Sequence, residues 1–281
     1  MKGNLENLIS KAFAEDLENG DYTSEATIPS VATGRARLII KQPGILCGIP
    51  VAEKVFSFRD HDLVMRVYME DGMSVKPGDI AFEVEGRIIS ILACERIVLN
   101  FMQRLSGIAT ATSRLVGLIE GFHTKILDTR KTTPGFRDLE KYAVRTGGGT
   151  NHRMGLYDMI MIKDNHVDYA GSLEKAIDRV HAFLRNRGLD LRIEVEVRDL
   201  SELKRVIEHG GIDRIMLDNF SPQGVSEAVA VIAGRFETEA SGGITEANIR
   251  DYAASGVDFI SVGSLTHHIQ SLDMSLKAVR D

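Results

Sequence analysis

The sequence predicts an α/β protein in two parts, a small sheet-rich domain followed by a parallel α/β barrel. Two observations predict it. Between Gly34 and Arg87, short strand-like runs are separated by turn signals. After Lys125, strand-like runs alternate with helical patterns. The last four runs begin at Ile193, Arg214, Phe236 and Phe259, so they recur every 21 to 23 residues, the βα period of a parallel sheet. Six such runs, with no GxGxxG opening a helix, favour a barrel over an open dinucleotide-binding sheet, although a doubly wound sheet also satisfies the pattern.

Each element has its own signal. Leu5, Leu8, Ile9 and Phe13 recur at helical spacing, so the chain opens with an amphipathic helix, which "GDYTSEATIPS" breaks. "RARLIIK", "LVMRVYM", "IAFEVEG" and "RIIS" read as strands, with "QPG", "EDG" and "KPGD" as turns between them. "EDGMSVKPGDIAFEVEG" has the rhythm of a lipoyl-type domain, but no lysine sits at a hairpin tip between hydrophobics, so a lipoyl carrier is rejected. A long, mostly apolar helix follows, "ISILACERIVLNFMQRLSGIATATSRLVGLIEG". Its polar residues Arg96, Asn100, Gln103 and Arg104 form one stripe, facing solvent, a cleft or a partner subunit. The later strands are "KILDTR", "MIMIKDNH", "IEVEV", "RIMLDN", "FETEAS" and "FISVGS". Helical patterns cover 172–187, 200–210, 222–234 and 245–256. The domain boundaries expected are 1–106, 107–268 for the barrel, and a C-terminal helix over 269–281 that packs back on the first domain.

The composition sets limits. With 281 residues, 43% hydrophobic and 26% charged, the chain is an ordinary soluble protein able to bury a large core. A net charge of -6 argues against a nucleic-acid binder. Cys47 and Cys94 lie among apolar neighbours without metal or redox spacing, as expected of buried thiols in a reducing compartment. The acidic start does not read as a signal peptide, and no apolar run is long enough to span a membrane. A cytoplasmic protein is expected.

In a parallel barrel the chemistry sits at the carboxyl ends of the strands. All six runs end in polar residues: Arg130-Lys131, Lys163-Asp164-Asn165-His166, Glu196, Asp218-Asn219, Ser241-Gly242-Gly243 and Gly263-Ser264. In "IEVEV" the alternation sends Glu194 and Glu196 to the face opposite Ile193, Val195 and Val197, hence into the barrel. Buried carboxylates need cations, a metal or bound hydroxyls. A structural ion-pair network would satisfy Glu194; Glu196, nearer the mouth, is the better functional candidate. "ASGGITEANI" offers close backbone approach and a helix start to a phosphate, and Gly263-Ser264 ends the next strand. From Lys125 to His166, eight Lys or Arg stand against five acids, a net of +3 in an acidic chain. A surface ion-pair face would give the same tally, but the triple glycine of "RTGGGTNHRMG" favours an anion loop. Lys163 could be a Schiff-base lysine, though neighbouring cations fit anion binding equally well. His152 and His166 lack metal-ligand spacing. His267-His268 is either a solvated pair or a phosphate contact.

These motifs resemble the quinolinate phosphoribosyltransferase family, also called nicotinate-nucleotide pyrophosphorylase (carboxylating). The matching segments are "EDLENGDYTS", "ERIVLNFMQRLSGIAT", "DTRKTTPGFRDLEKYAVRTGGGTNHRMGLYDMIMIKDNH", "IEVEV", "IMLDNFSP", "EASGGIT" and "ISVGSLTH". They span essentially the whole chain in order, and the 39-residue central block is highly specific. The resemblance implies an open-faced α/β sandwich followed by an incomplete, six- to seven-stranded parallel α/β barrel. It implies transfer of phosphoribose from phosphoribosyl pyrophosphate to quinolinate, with Mg²⁺, giving nicotinate mononucleotide, CO₂ and pyrophosphate in de novo NAD biosynthesis. It also implies a homodimer in which one subunit's sandwich covers the other's barrel.

By resemblance, Thr129, Arg130, His152, Arg153 and Lys163 belong to the quinolinate set, with Arg96 supplied by the neighbouring subunit. Lys131, Glu196, Asp218, Ser241, Gly242, Gly243, Gly263 and His267 belong to the phosphoribosyl pyrophosphate set. Lys131, Glu196 and Asp218 are the catalytic candidates, and Glu196 and Asp218 the metal candidates, through water. Pro134-Gly135 turns the chain away from the mouth, and Arg137 is either a surface residue or a second contact. The alternatives are a sibling or paralogue using nicotinate or another pyridine carboxylate, a Schiff-base barrel lyase, and a non-catalytic nucleotide sensor.

Overall fold

The computed structural model describes residues 2–279. The first stretch holds α1 (Lys2–Leu17), α2 (Tyr22–Thr27), β1 (Thr33–Ile40), β2 (Gly44–Ile45), α3 (Ile49–Arg59), β3 (Val64–Val67), β4 (Ser74–Val75), β5 (Ile80–Arg87) and α4 (Ile88–Leu118). Next come β6 (Lys125–Leu127), α5 (Arg137–Thr146), β7 (Ile160–Ile162), α6 (Asp164–Ala170), α7 (Leu173–Arg187), β8 (Ile193–Val197) and α8 (Leu200–His209). The chain continues with β9 (Arg214–Asp218), α9 (Pro222–Ile232), β10 (Glu237–Ser241), α10 (Ile249–Ala254), β11 (Phe259–Ser261), α11 (Ser264–His267) and β12 (Met274–Ala278). Two compact units result. One contains the residues up to 113, 133–148 and those from 268; the other contains 114–132 and 149–267.

The first unit is an antiparallel sheet in the order β12-β1-β5-β3, covered by helices on one face. In β1, Ala36, Leu38 and Ile40 are buried, while Arg35 and Arg37 point the other way and pair with Glu83 at 3.5 and 2.6 Å. That polar outer face makes the sandwich open-faced. Phe56 of α3 meets Phe82 of β5 edge-on, with ring centroids 5.8 Å apart. Each such fully buried side chain contributes roughly 1.5–3 kcal/mol of transfer free energy.

Several expectations change here. Residues 269–281 were expected to form a helix, but Met274–Ala278 is the edge strand β12, antiparallel to β1. Its period is two: Met274 and Leu276 are buried, and Lys277 is exposed. "RIIS" is not a strand, because α4 starts at Ile88 directly after β5. "GDYTSEATIPS" contains a helix, α2, whose N-cap Asp21 accepts from the Ser24 amide at 3.1 Å.

Residues 133–148, assigned above to the barrel, belong to the first unit. Two contacts within that unit explain this. Phe136 stacks on Phe101 at 5.5 Å, and Tyr142 donates to Asp71 at 2.7 Å. Asp71 also accepts from the Gly48 and Ile49 amides that open α3. Gly147, the first of the triple glycine, serves the same packing. A Cβ on Gly147 would lie 2.3 Å from the Ala109 carbonyl oxygen, so only glycine lets α5 end against α4.

The second unit is a six-stranded parallel sheet in the order β6-β11-β10-β9-β8-β7. That is the cyclic order of a barrel opened between its first two strands. Thr150 partly fills the gap through a parallel bridge to Leu127, the last residue of β6. Three of its helices begin at strong side-chain caps. Ser172 accepts from Lys175, Asp199 from Ser201 and Glu202, and Ser221 from Gly224, with Pro222 at the first helical position. Their buried stripes, such as Leu203 with Val206 and Val225 with Ala228 and Ile232, cover the sheet. No helix among the described residues is long and apolar enough to cross a membrane.

Candidate active site

The alternation of the strands determines which residues enter the barrel. Register pairs Glu194 with Arg214, Arg214 with Glu237, Glu196 with Met216, Met216 with Glu239, and Asp218 with Ser241. The interior is therefore layered and charged. Arg214 lies 3.0 Å from Glu239, 2.9 Å from Glu237, and 4.0 Å above the Phe259 ring. Both acids of "IEVEV" point inward, as the alternation predicts. Glu194 meets His152 and Glu196 pairs with Lys163.

A cavity of about 640 Å³ opens above this floor, at the carboxyl ends of the strands. Thr129, Arg130, Lys131, His152, Arg153 and Lys163 line it, as do Asp218, Ser241, Gly242, Gly243, Gly263 and His267. Every residue of the two expected substrate sets is thus in its wall except Glu196, which sits behind Lys163, and Arg96. Arg96 is exposed on α4 in the first unit, in a separate groove with Lys11, Asn100 and Arg104. The rest of its stripe is partly engaged. Gln103 donates to the Met274 carbonyl, and Arg104 holds the buried Glu140. Arg137 opens α5 and does not line the cavity.

The cation wall is built from β6 and the segment after α5. Asp128, fully buried, accepts from the His152 amide at 2.8 Å and from Asn151. Arg153 donates to the Met159 carbonyl at 3.0 Å. Burial and the nearby charge of Arg130 both lower the proton affinity of the Arg153 guanidinium. Two neighbouring cations favour an anion between them. Lys131 is ordered from both sides. Its amide donates to Thr129, and its carbonyl accepts from Thr266.

The phosphate side depends on glycine. Gly242 and Gly243 have φ of 90° and 62°, and a Cβ on Gly242 would collide with Asn219. A Cβ on Gly263 would lie 3.2 Å from Lys131 Cδ and 3.3 Å from His267 Nε2, so both side chains converge there. The helix expected from 245 begins only at Ile249, because Thr245 and Asn248 form the turn before it. The backbone turn, rather than a helix end, therefore lines this side. Likewise Asp164-Asn165-His166 opens α6 instead of ending β7.

Below the cavity, His152 Nε2 lies 3.0 Å from Glu194 and 3.3 Å from Glu239. Burial and the Glu239 charge raise the Glu194 carboxyl to about 7. Glu239 shifts downward: burial opposes this, but His152 and Arg214 together outweigh it. The three ligand atoms are close enough to share a metal, but the Arg214 guanidinium already supplies the positive charge. Asp128 and Glu239 were missed by the sequence reading. Glu239 stands in the same inward alternation as Glu194, in "FETEAS"; Asp128 gave no signal beyond its place before Thr129. For metal at the cavity, Asp218 accepts from Ser241 at 2.7 Å and Asn219 at 2.6 Å, and Glu196 is engaged by Lys163.

A parallel barrel with a cation wall, a glycine turn and acids at its strand ends defines an α/β-barrel enzyme for anionic, phosphate-bearing substrates. Comparison narrows the class. Residues 21–106 match the N-terminal domain of quinolinate phosphoribosyl transferase and 108–277 its C-terminal domain. The chain is 43% identical to quinolinate phosphoribosyltransferase [decarboxylating] 1 of Nicotiana glauca, over 97% of this chain and 82% of that protein. It is 41% identical to a probable nicotinate-nucleotide pyrophosphorylase [carboxylating] of Bacillus subtilis, over 97% and 92%. The solved nicotinate-nucleotide pyrophosphorylase from Francisella tularensis superposes with a TM-score of 0.94 at 40% identity, covering 99% of this chain and 97% of that one. The chain belongs to the quinolinate phosphoribosyltransferase family.

Proposed function

We propose that the enzyme transfers phosphoribose from phosphoribosyl pyrophosphate to the ring nitrogen of quinolinate with loss of CO₂, a step of NAD biosynthesis. The observation that carries this reading is the cavity wall, where Arg130, Arg153, Lys163 and Lys131 converge with a glycine turn. Quinolinate is a dianion and its co-substrate a polyanion. Thr129, Arg130, Arg153 and Lys163 face the dicarboxylate, since planar guanidinium groups grip carboxylates bidentately. Lys131, Gly242, Gly243, Gly263 and His267 face the phosphates, with Ser241 and Asp218 beside them.

Breaking the anomeric bond leaves positive charge on the ribose, which Glu196 and Asp218 stabilise, and Lys131 neutralises the departing pyrophosphate. The ring nitrogen bonds to the anomeric carbon and becomes a pyridinium. That nitrogen then accepts the electron pair of the C–C bond broken as CO₂ leaves, and a proton replaces the carboxylate. Mg²⁺ suits this oxygen donor set: Glu196 and Asp218 would hold it through water, and it would supply charge neutralisation at the pyrophosphate. The pairing of Lys163 with Glu196 weighs against a Schiff-base lyase, because a paired ammonium is a poor nucleophile. The same proposal includes a cytoplasmic homodimer, with Arg96 given to the neighbour's cavity. The buried free thiols Cys47 and Cys94 suit a reducing compartment.

The test is release of pyrophosphate and CO₂ with quinolinate against nicotinate, each with phosphoribosyl pyrophosphate. Release of both products with quinolinate alone is expected. Equal pyrophosphate release with nicotinate would indicate the sibling activity, and binding without release a sensor. Full-rate CO₂ release without phosphoribosyl pyrophosphate would reverse the order of steps.

A further inference from the structure

The resemblance gives His152 to the pyridine substrate, yet its Nδ1 is engaged within the protein and its Nε2 faces two buried carboxylates. Nδ1 accepts from the Arg153 amide at 2.7 Å. Nε2 points into the floor, 3.0 Å from Glu194 and 3.3 Å from Glu239, and Arg214 holds Glu239 from the far side at 3.0 Å. Asp128 fixes the His152 backbone. The ring, Glu194 and Glu239 are all buried.

We infer that Glu194 and Glu239 are positioning residues: their carboxylates, 3.0 and 3.3 Å from Nε2, favour the ring proton on that nitrogen, leave Nδ1 unprotonated for the Arg153 amide, and so set where Arg153 presents its guanidinium. This rests on the reading of the cavity as a pyridine-dicarboxylate site. It moves His152 from substrate contact to support. The chemistry of the ring decides the tautomer. Burial opposes a charged ring, and the two glutamates outweigh that and favour it. A second ring proton, however, would sit on Nδ1, facing another N–H at 2.7 Å. The ring is therefore neutral with its proton on Nε2. A shift of the ring moves the Arg153 main chain, and small misplacements of a substrate-holding group are costly.

Two measurements test this. In the substrate-free protein, ¹⁵N NMR of the His152 ring, assigned by its absence from His152→Asn, should show the neutral Nε2–H form at neutral pH. A charged ring, or a proton on Nδ1, overturns the inference. In the enzyme, Glu194→Leu should raise the KM for quinolinate about tenfold or more and leave that for phosphoribosyl pyrophosphate unchanged. Glu194→Gln, which keeps an acceptor for Nε2–H, should recover most of that loss. An equal rise in both KM values, or no recovery with Gln, also overturns it. If Glu194→Leu does not fold, the NMR result on the unaltered protein decides. That measurement uses no substrate, so an enzyme inactive on quinolinate would sink the proposed activity and leave the ring assignment to stand or fall on its own.

Discussion

Lys163 and Glu196, 33 residues apart in the chain, are joined by an ion pair at the carboxyl ends of adjacent strands. The parallel register that pairs Ile162 with Val195 brings the two strand ends together. The family resemblance divides them between the two substrates, so this contact links the two halves of the cavity. Glu196 is nearly buried, and Lys163 satisfies its charge.

The pair should therefore behave as a unit. Lys163→Ala and Glu196→Gln should each lower kcat/KM by about a hundredfold, and the double variant should lose much less than the product. A coupling of about 1–2 kcal/mol is expected from the cycle. Strictly multiplicative losses would show that the two side chains act independently.

Arg130→Ala should cost at least about a hundredfold in quinolinate turnover, as for a lost preorganised charge contact. Arg130→Lys should recover little, because an ammonium cannot make two parallel hydrogen bonds to a carboxylate. Steady-state kinetics with quinolinate varied checks both, and near-normal activity in Arg130→Ala would remove it from the site.

Much of this wall could be read in advance, and the reasons differ by residue. Glu194 and Glu196 alternate with Ile193, Val195 and Val197, so their inward direction follows from period two alone. Glu239 obeys the same rule, but its outward neighbours Thr238 and Ala240 are weakly apolar and gave less contrast. The role of Gly147 depends on the approach of α4, an element far back in the chain, and no local pattern encodes that. The same holds for β12. Its five residues pair with β1 more than two hundred positions earlier, and a short alternating run reads equally as the end of a helix. The placement of His152 between two carboxylates needs the barrel itself.

Arg104 and Glu140 make a stability test separate from the site. The Glu140 side chain is fully buried, and Arg104 contacts it at 2.6 Å and 3.0 Å. Arg104→Ala leaves the carboxylate with Thr133 alone and should cost about 3 kcal/mol, seen as a lower denaturation midpoint. Adding Glu140→Leu should regain part of that loss, since it removes the unpaired charge. No change in Arg104→Ala would mean that the pair contributes little.

Glu194 should give stability a pH signature. Its carboxyl is raised from 4.5 to about 7 in the folded protein, first by burial and then by Glu239. A raised carboxyl contributes stability below its unfolded value, and that contribution is lost as pH rises through the folded value. Glu194→Gln has no such proton to lose. Its stability relative to the unaltered protein should therefore improve between pH 5 and pH 8 by roughly 1–3 kcal/mol. Denaturant unfolding at both values checks this, and a gap that stays constant or shrinks contradicts it.

Arg96 bears on the assembly. Within the first unit, Gln103 and Arg104 of its stripe are tied to Met274 and Glu140, which leaves Arg96 and Asn100 exposed. An exposed arginine on an otherwise well-packed helix, absent from the cavity of its own chain's cations, suits donation to a second copy. Arg96→Ala and Arg130→Ala should each be inactive alone. In the proposed homodimer, subunit exchange should leave half the dimers mixed, and each of these should carry one site with both arginines. About one quarter of the unaltered activity should then return. If tagged subunits exchange and no activity returns, Arg96 does not serve its neighbour, and its groove has another use.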